Sequence, residues 1–358
     1  MTPKVTVVIP THNRPAMLRD ALASVCVQTW PEWEALVIDD GSEPAVDTAG
    51  LVAEFGSRIR VVRNRQPMKL AYVRDQGVQL AAGAYVTQLD DDDRLAPTAL
   101  AEAMTIFTRH VDLEVLFLGV LGFGVNRENF DLNQQATLKG VLTRASAVSH
   151  EGLIHFDRER FSALLGAVPM PFQRAMMPCA VWHRVSALRL QAYQLDPTVT
   201  DQETARQLIQ PPLRDSEWAL YAAVSSRAAL LDRPLYLQRC EGQGYVSLPA
   251  QRDGGTLLVT VPHENVPVSA KHFQHFSAEK LERAFELHFA LEEVAFLDRR
   301  SPAVKLIRWV LENKYFILTH WGIRNRIYRL YKHFFLVSDE RHCGRIFMRF
   351  RPRPVPQA

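Results

Sequence analysis

The chain has 358 residues, of which 47% are hydrophobic and 23% charged. That composition excludes a disordered polymer and leaves room for one large core or two smaller ones. The net charge is only +3, but residues 301–358 hold 12 Lys or Arg against 3 Asp or Glu, leaving 30 against 36 in residues 1–300. The main body therefore asks for no polyanionic partner, and only the tail carries a basic excess. Four cysteines (Cys26, Cys179, Cys240, Cys343) stand far apart with no Cys-x-x-Cys pair. This excludes a zinc ribbon or disulfide scaffold and fits a reducing cytosol. No basic-then-apolar leader precedes the first strand, and Val115–Val125, the longest apolar stretch, falls short of the ~20 residues that span a bilayer. The expected location is the cytoplasm, or the inner face of the cytoplasmic membrane.

Val5–Pro10 is continuous, apolar and β-branched, as in a strand buried on both faces. Pro15 suits a first helical turn, and Leu18, Leu22 and Val25 follow at helical spacing. Ala35–Ile38 predicts a second strand that ends in Asp39-Asp40-Gly41-Ser42. Asp47–Phe55 reads as a helix, Ile59–Val62 as a third strand, and Leu70–Ala82 as a helix stopped by Gly83. Tyr85–Leu89 is a fourth strand running straight into Asp90-Asp91-Asp92-Asp93. Pro97 opens another helix, and Val111–Val125 holds a further strand. Residues 126–175 read as an irregular insertion, Ala180–Ala192 as a helix, Asp215–Arg227 as a helix and Ala228–Arg239 as a strand. The composition shifts at Gln251–Gly255, and helices are expected over Ala278–Phe296 and Ala303–Phe335.

Alternating strands and helices predict an α/β fold: a mostly parallel, doubly wound sheet, here with a helical C-terminal extension. In such sheets ligands bind at the carboxyl ends of strands. Thr11-His12-Asn13-Arg14, Asp39-Asp40 and Asp90–Asp93 all belong to that one edge. Four adjacent carboxylates repel one another and are not gathered for stability. On a free loop they would be a solvated acidic run, but here a buried strand delivers them to the ligand edge. Hard oxygen ligands suit Mg²⁺ or Mn²⁺, which bind through one or two carboxylates together with substrate phosphates.

Val7-Val8-Ile9-Pro10-Thr11-His12-Asn13-Arg14, Gln28-Thr29, Val37-Ile38-Asp39-Asp40-Gly41-Ser42, Arg74-Asp75-Gln76-Gly77, Gly83-Ala84-Tyr85-Val86 and Leu89-Asp90-Asp91-Asp92-Asp93 form an ordered set. That set resembles glycosyltransferase family 2, closely over about the first hundred residues and more weakly to about Ser247. The resemblance implies a GT-A fold, inversion at the anomeric carbon and a divalent cation, Mn²⁺ or Mg²⁺. It divides the chain into a nucleotide-sugar-binding half over residues 1–110, an acceptor-binding half over 111–250 and a basic, aromatic-rich helical region over 251–358.

The resemblance also implies roles. Pro10 and Thr11, with Asn13 beside them, lie along the nucleobase and ribose. Asp39 accepts the N3–H of a uracil, although an Asp before Gly41 could equally be a turn former. Arg74 orients the nucleotide, and Asp75 stands where the family has Asn. Asp90 and Asp92 match the Asp-x-Asp pair, with Asp92 as metal ligand and Asp90 at the ribose or a metal-bound water. Asp91 fills the variable position on the nucleotide side, Asp93 supports the site from behind or binds nothing, and both are expected to be expendable. The catalytic base falls on Glu217 with Asp215 as rival, because Ser216 replaces the Glu of the family's Glu-Asp pair. Both could instead be favourable charges at a helix N-terminus. Arg239, with Gln243 and Ser247, resembles a phosphate-contacting segment. His150, His155 and His183 are too irregularly spaced to be assigned as ligands.

The expected function is transfer of a sugar, UDP-linked by the Asp39 reading, to a hydroxyl of a glycan or lipid-linked acceptor. The tail interleaves bases and aromatics from Arg308-Trp309 to Phe334-Phe335, which fits either an anionic membrane surface or a helical cap packed on the catalytic domain. Nothing in the catalytic half supports a nucleic-acid partner. The alternatives are a sugar nucleotidyltransferase, against which Pro10–Arg14 lacks a Gly-rich phosphate loop, and an inactive scaffold that binds a partner.

Overall fold

The computed structural model describes residues 4–68, 70–142, 147–149, 152–155, 179–190, 227–241, 249–262 and 273–277. Strands β1 (Val5–Thr11), β2 (Trp33–Asp39), β3 (Ile59–Arg63) and β4 (Tyr85–Gln88) form a parallel block in the order β3-β2-β1-β4. Helices α1 (Pro15–Cys26), α2 (Thr48–Phe55) and α3 (Leu70–Leu80) connect them. Every residue of β1 is buried, and its side chains alternate between faces. Val5, Val7 and Ile9 join Leu18, Ala21, Leu22 and Val25 of α1 in one core. Val8 points the other way, toward α3, where a Cβ on Gly77 would lie 2.1 Å from its Cγ1. Pro15 occupies the first turn of α1, where its missing N–H costs nothing. Asp47 caps α2 by accepting the Gly50 N–H at 2.9 Å.

The chain continues through β5 (Arg94–Leu95), α4 (Ala99–Arg109), β6 (Val115–Phe123), α5 (Arg127–Leu142), β7 (Ala147–Val148), β8 (Leu153–His155), β9 (Ala180–His183), α6 (Arg184–Leu190) and β10 (Ala228–Arg239). The main sheet is ten-stranded, and β9, β6, β10, β8 and β7 extend the block beyond β4, with β5 paired to β10. Only β5, β8 and β9 run against the common direction, so the expected mostly parallel α/β sheet is present. From β1 the chain steps outward to β2 and β3, then returns past β1 to β4. Strand order therefore reverses between β1 and β4, and a crevice at their carboxyl ends is the place where such sheets bind ligands.

Three local expectations are corrected. The helix expected over Ala180–Ala192 begins as strand β9, because buried Ala180, Val181 and Trp182 fill the slot between β4 and β6; helix starts only at Arg184. Short apolar runs do not distinguish strand from helix by period alone. The supposedly irregular segment from residue 126 opens with α5, whose Asn129 and Phe130 are buried and whose Asp131 accepts the Gly122 N–H at 2.6 Å. Gly83 does not stop α3, which ends at Leu80; it is small because a Cβ there would sit 2.7 Å from the Thr6 nitrogen of β1. Beyond Gln251 lies a second, antiparallel sheet of β11 (Gln251–Asp253), β12 (Thr256–Pro262) and β13 (Phe273–Ser277). Its first turn uses Gly254 and Gly255 at φ 52° and 86°. The helices expected over Ala278–Phe296 and Ala303–Phe335 lie outside the described residues. Among the described residues, no helix is long and apolar enough to cross a membrane.

Gly77→Ala should lower stability by about 1–3 kcal/mol in denaturant unfolding, since the added methyl overpacks Val8 by more than its helical propensity returns.

Candidate active site

Leu89 still bonds to β1 through its N–H to the Val8 carbonyl at 2.9 Å, and the chain then turns. The Asp93 N–H donates to the Asp90 carbonyl at 3.0 Å, so the four aspartates are one tight turn held at the end of β4. The turn sorts its carboxylates. Asp91 and Asp93 are buried, while Asp90 and Asp92 keep side-chain exposures of 30% and 35%.

Each carboxylate meets a different element. The buried Arg74 of α3 donates to Asp90 Oδ1 at 2.8 Å. Thr11, at the end of β1, donates its hydroxyl to Asp91 Oδ2 at 2.7 Å. Arg14 Nη1 donates to Asp91 Oδ1 and to Asp92 Oδ2, both at 3.1 Å. The Tyr236 hydroxyl of β10 donates to Asp93 Oδ2 at 2.7 Å, and the Arg239 N–H to Asp93 Oδ1 at 2.8 Å. The bonds from Thr11 and Arg14 cross the β1/β4 crevice itself.

The Asp39 pair is divided in the same way. Asp39 is fully buried, and its two oxygens accept the Ser42 N–H at 2.9 Å and the Val46 N–H at 3.1 Å. Its carboxylate thus shapes the loop after β2. Asp40 Oδ1 accepts from Asn64 Nδ2 at 3.0 Å and the Met68 N–H at 2.7 Å, tying β2 to the segment before α3. His12 Nδ1 bonds the Asp40 carbonyl at 2.8 Å. Asn13 takes a left-handed φ of 56°, its N–H donates to Ser42 Oγ at 3.0 Å and its Oδ1 accepts the Glu43 N–H at 2.7 Å. Pro10 is buried in β1 beside Ile38, one residue before Thr11. Thr11, Asn13, Arg14, Ser42 and Val46 border a pocket of about 370 Å³. The three clusters that the sequence places on one edge are therefore bonded to one another.

Several residues of this apparatus carry no motif. Asp20 of α1 receives Arg94 through Nε at 3.0 Å and Nη2 at 2.8 Å, and also pairs with Arg239. Arg239 further donates its Nε to the Asp92 carbonyl at 2.8 Å. The guanidinium groups of Arg94 and Arg239 lie 4.5 Å and 4.7 Å from the Phe123 ring centre. Arg239 is thereby a brace for the turn. Tyr236 follows only a strand pattern in the sequence, and Asp20 only a helical one. Glu217, Asp215, Gln243 and Ser247 lie outside the described residues.

Burial, with crowding behind it, raises the acids. Burial pushes the Asp91 carboxyl above its ordinary range, opposed by the Thr11 bond and Arg14. Burial and then the Asp90 charge do the same at Asp92. Asp93 is raised well above the usual value by burial and by Asp90 and Asp92, and Tyr236 is raised by burial and then Asp93. In α3, burial lifts Asp75 to about 7 against the pull of Arg74.

Asp90 and Asp92 fit a divalent cation in chemical type. They are hard, half-exposed carboxylates at the crevice, and each gives one oxygen to an arginine while the other meets no further side chain among the described residues. No cluster of three or more such ligands occurs among the described residues. Two carboxylates completed by ligand phosphates are the pattern that Mg²⁺ and Mn²⁺ accept.

Residues 6–157 match the model of glycosyl transferase family 2. That stretch, which is under half of the chain, is similar to the family. Bacillus subtilis EpsE, named as a glycosyltransferase, is 23% identical over 200 residues, covering 54% of this chain and 70% of EpsE. The O-antigen biosynthesis protein RfbC of Myxococcus xanthus is 35% identical over 119 residues, or 32% of this chain and 9% of RfbC. This chain spans under two fifths of several other curated relatives that it matches. Staphylococcus aureus TarS 1–349, solved with UDP-GlcNAc, is 17% identical with a TM-score of 0.47, covering 83% of this chain and 72% of that one.

In α3, Asp75 gives a pH signature. Its native-state value near 7 exceeds the ordinary carboxylate value, so the folded protein holds a proton that the unfolded chain releases. Stability from this group is full at about pH 4 and is lost as pH rises toward 7. Asp75→Asn should remove that loss, so thermal unfolding of the variant should exceed wild type above pH 7 and converge with it near pH 4. Tyr236→Phe should cost about 1–3 kcal/mol in the same assay, because it strips a donor from buried Asp93.

Proposed function

We propose that this protein is an inverting glycosyltransferase that moves a sugar from a nucleotide-sugar, UDP-linked, to a hydroxyl of a glycan or lipid-linked acceptor in polysaccharide or glycolipid biosynthesis. The observation that carries the reading is the bonding of Thr11 and Arg14 to Asp91 and Asp92 across the strand-order reversal. It leaves two half-exposed acids, Asp90 and Asp92, in the crevice where a nucleotide diphosphate would lie.

Pro10, Thr11 and Asn13 line the nucleoside side of that crevice. Asp39 serves it by holding the Ser42–Val46 loop in place, and Arg74 fixes Asp90 toward the ribose. Asp91 fixes Thr11 and Arg14. Asp92 is the metal ligand, with Asp90 beside it. A bound Mn²⁺ or Mg²⁺ would supply positive charge against the diphosphate as it leaves. The acceptor oxygen forms the new bond to the anomeric carbon as the bond to the diphosphate breaks, and Glu217, or Asp215, takes the hydroxyl proton. The basic, aromatic tail would hold the enzyme at an anionic membrane surface on the cytoplasmic side.

Purified protein incubated with several nucleotide-sugars, with and without Mn²⁺, should release free nucleotide only when the metal is present. Asp92→Ala should lower that rate by about 100-fold or more with little loss of folding, because its carboxylate is half exposed. Asp91→Ala should lower the melting temperature as well as the rate, since it strips Thr11 and Arg14 of a buried partner. Formation of a nucleotide-sugar from a sugar phosphate and a nucleoside triphosphate would overturn the proposal. Donor binding without turnover in the presence of the natural acceptor would favour the scaffold.

A further inference from the structure

Three arginines touch the acidic turn, and they differ in how firmly they are held. Arg74 is 2% exposed at its side chain, and its Nη2 is bonded to Asp90. Arg239 is 15% exposed and is fixed at once by the Asp92 carbonyl, Asp20, Glu241 and the Phe123 ring. Arg14 is 52% exposed, and among the described residues its Nη1 meets only the two aspartates. Arg14 stands at the N-cap position of α1, yet no side-chain bond caps that helix end. The guanidinium can leave the turn without unravelling α1.

Its two bonds are also unequal in kind. Asp91 is buried and anchored by Thr11, so that partner stays where it is. Asp92 is half exposed and, like Asp90, has an oxygen to offer a cation. A divalent ion on Asp92 would meet the guanidinium on the same carboxylate, and two cations that close repel unless an anion lies between them.

We propose that Arg14 is an internal counter-cation that neutralises Asp92 before ligand arrives, competes with the divalent metal for it, and turns to the donor's diphosphate when metal and nucleotide bind. This rests on the metal-dependent transferase reading above. In this arrangement Arg14 makes metal binding weak alone and stronger with nucleotide, so that the two ligands load together. It is a positioning residue for Asp92 and a contact for the diphosphate.

The test is Mn²⁺ binding followed by electron paramagnetic resonance, with and without UDP. It uses wild type, Arg14→Gln, Arg14→Lys and Arg19→Gln. Arg19 removes a charge from the same helix at a residue paired with Glu54. Without UDP, Arg14→Gln should bind Mn²⁺ about threefold or more tightly than wild type, the scale of one partly exposed ion pair. Arg14→Lys and Arg19→Gln should stay within about twofold of wild type. Metal-free UDP binding should weaken in Arg14→Gln alone. Unchanged or weaker Mn²⁺ binding in Arg14→Gln would overturn the proposal, as would an equal gain in Arg19→Gln or no Mn²⁺ binding in any of the proteins. Nucleotide release by the wild type is scored separately. Turnover with unaltered Mn²⁺ affinity in Arg14→Gln refutes the Arg14 role alone. Tighter Mn²⁺ binding without any wild-type turnover supports the Arg14 role and refutes the transferase reading.

Discussion

Four carboxylates in consecutive residues cannot share one turn unless their charges are met from outside it, and the crevice is organised by that requirement. Arg74 comes from α3, Thr11 and Arg14 from the β1–α1 junction, Tyr236 and Arg239 from β10. The partners come from three separate places in the fold, so neutralising the turn also joins those elements at one edge. Burial raises the Asp91, Asp92 and Asp93 carboxyls, and the neighbouring aspartates add to that rise at Asp92 and Asp93.

The same turn divides structural from reactive work by burial. Asp91 and Asp93 spend their oxygens on hydrogen bonds in the interior, where losing a partner is costly. Asp90 and Asp92 stay at the crevice with an oxygen in reserve. A similar division holds after β2, where Asp39 is spent on loop N–H groups and Asp40 on Asn64 and Met68. The edge is thus rigid beneath and polar above, as a pre-organised ligand site needs.

Its rigidity depends on close packing farther down the sheet. Val5, Val7 and Ile9 bind α1 on one face, while Val8 meets Gly77 on the other. Gly83 lets the segment entering β4 approach β1. Any slack there would move Asp90–Asp93 relative to Thr11, because β1 and β4 carry the two sides of the crevice.

The sequence alone determined β1 to β4 and α1 to α3 apart from their exact ends, since each has a continuous local pattern: β-branched runs, Pro15, and turn residues at Asp39–Ser42. It also placed the three polar clusters on one edge, because all strands of a parallel block deliver their carboxyl ends to the same side. Only tertiary structure decided that Ala180–His183 is a strand, since the slot between β4 and β6 exists only once both are in place. It likewise decided that Asp91 and Asp93 are the buried pair, and that Tyr236, Arg239 and Asp20 brace the turn. Tyr236 lies 143 residues from Asp93, and Asp20 lies 219 from Arg239. No local pattern marks such pairs, because their chemistry arises from a meeting that the fold alone arranges.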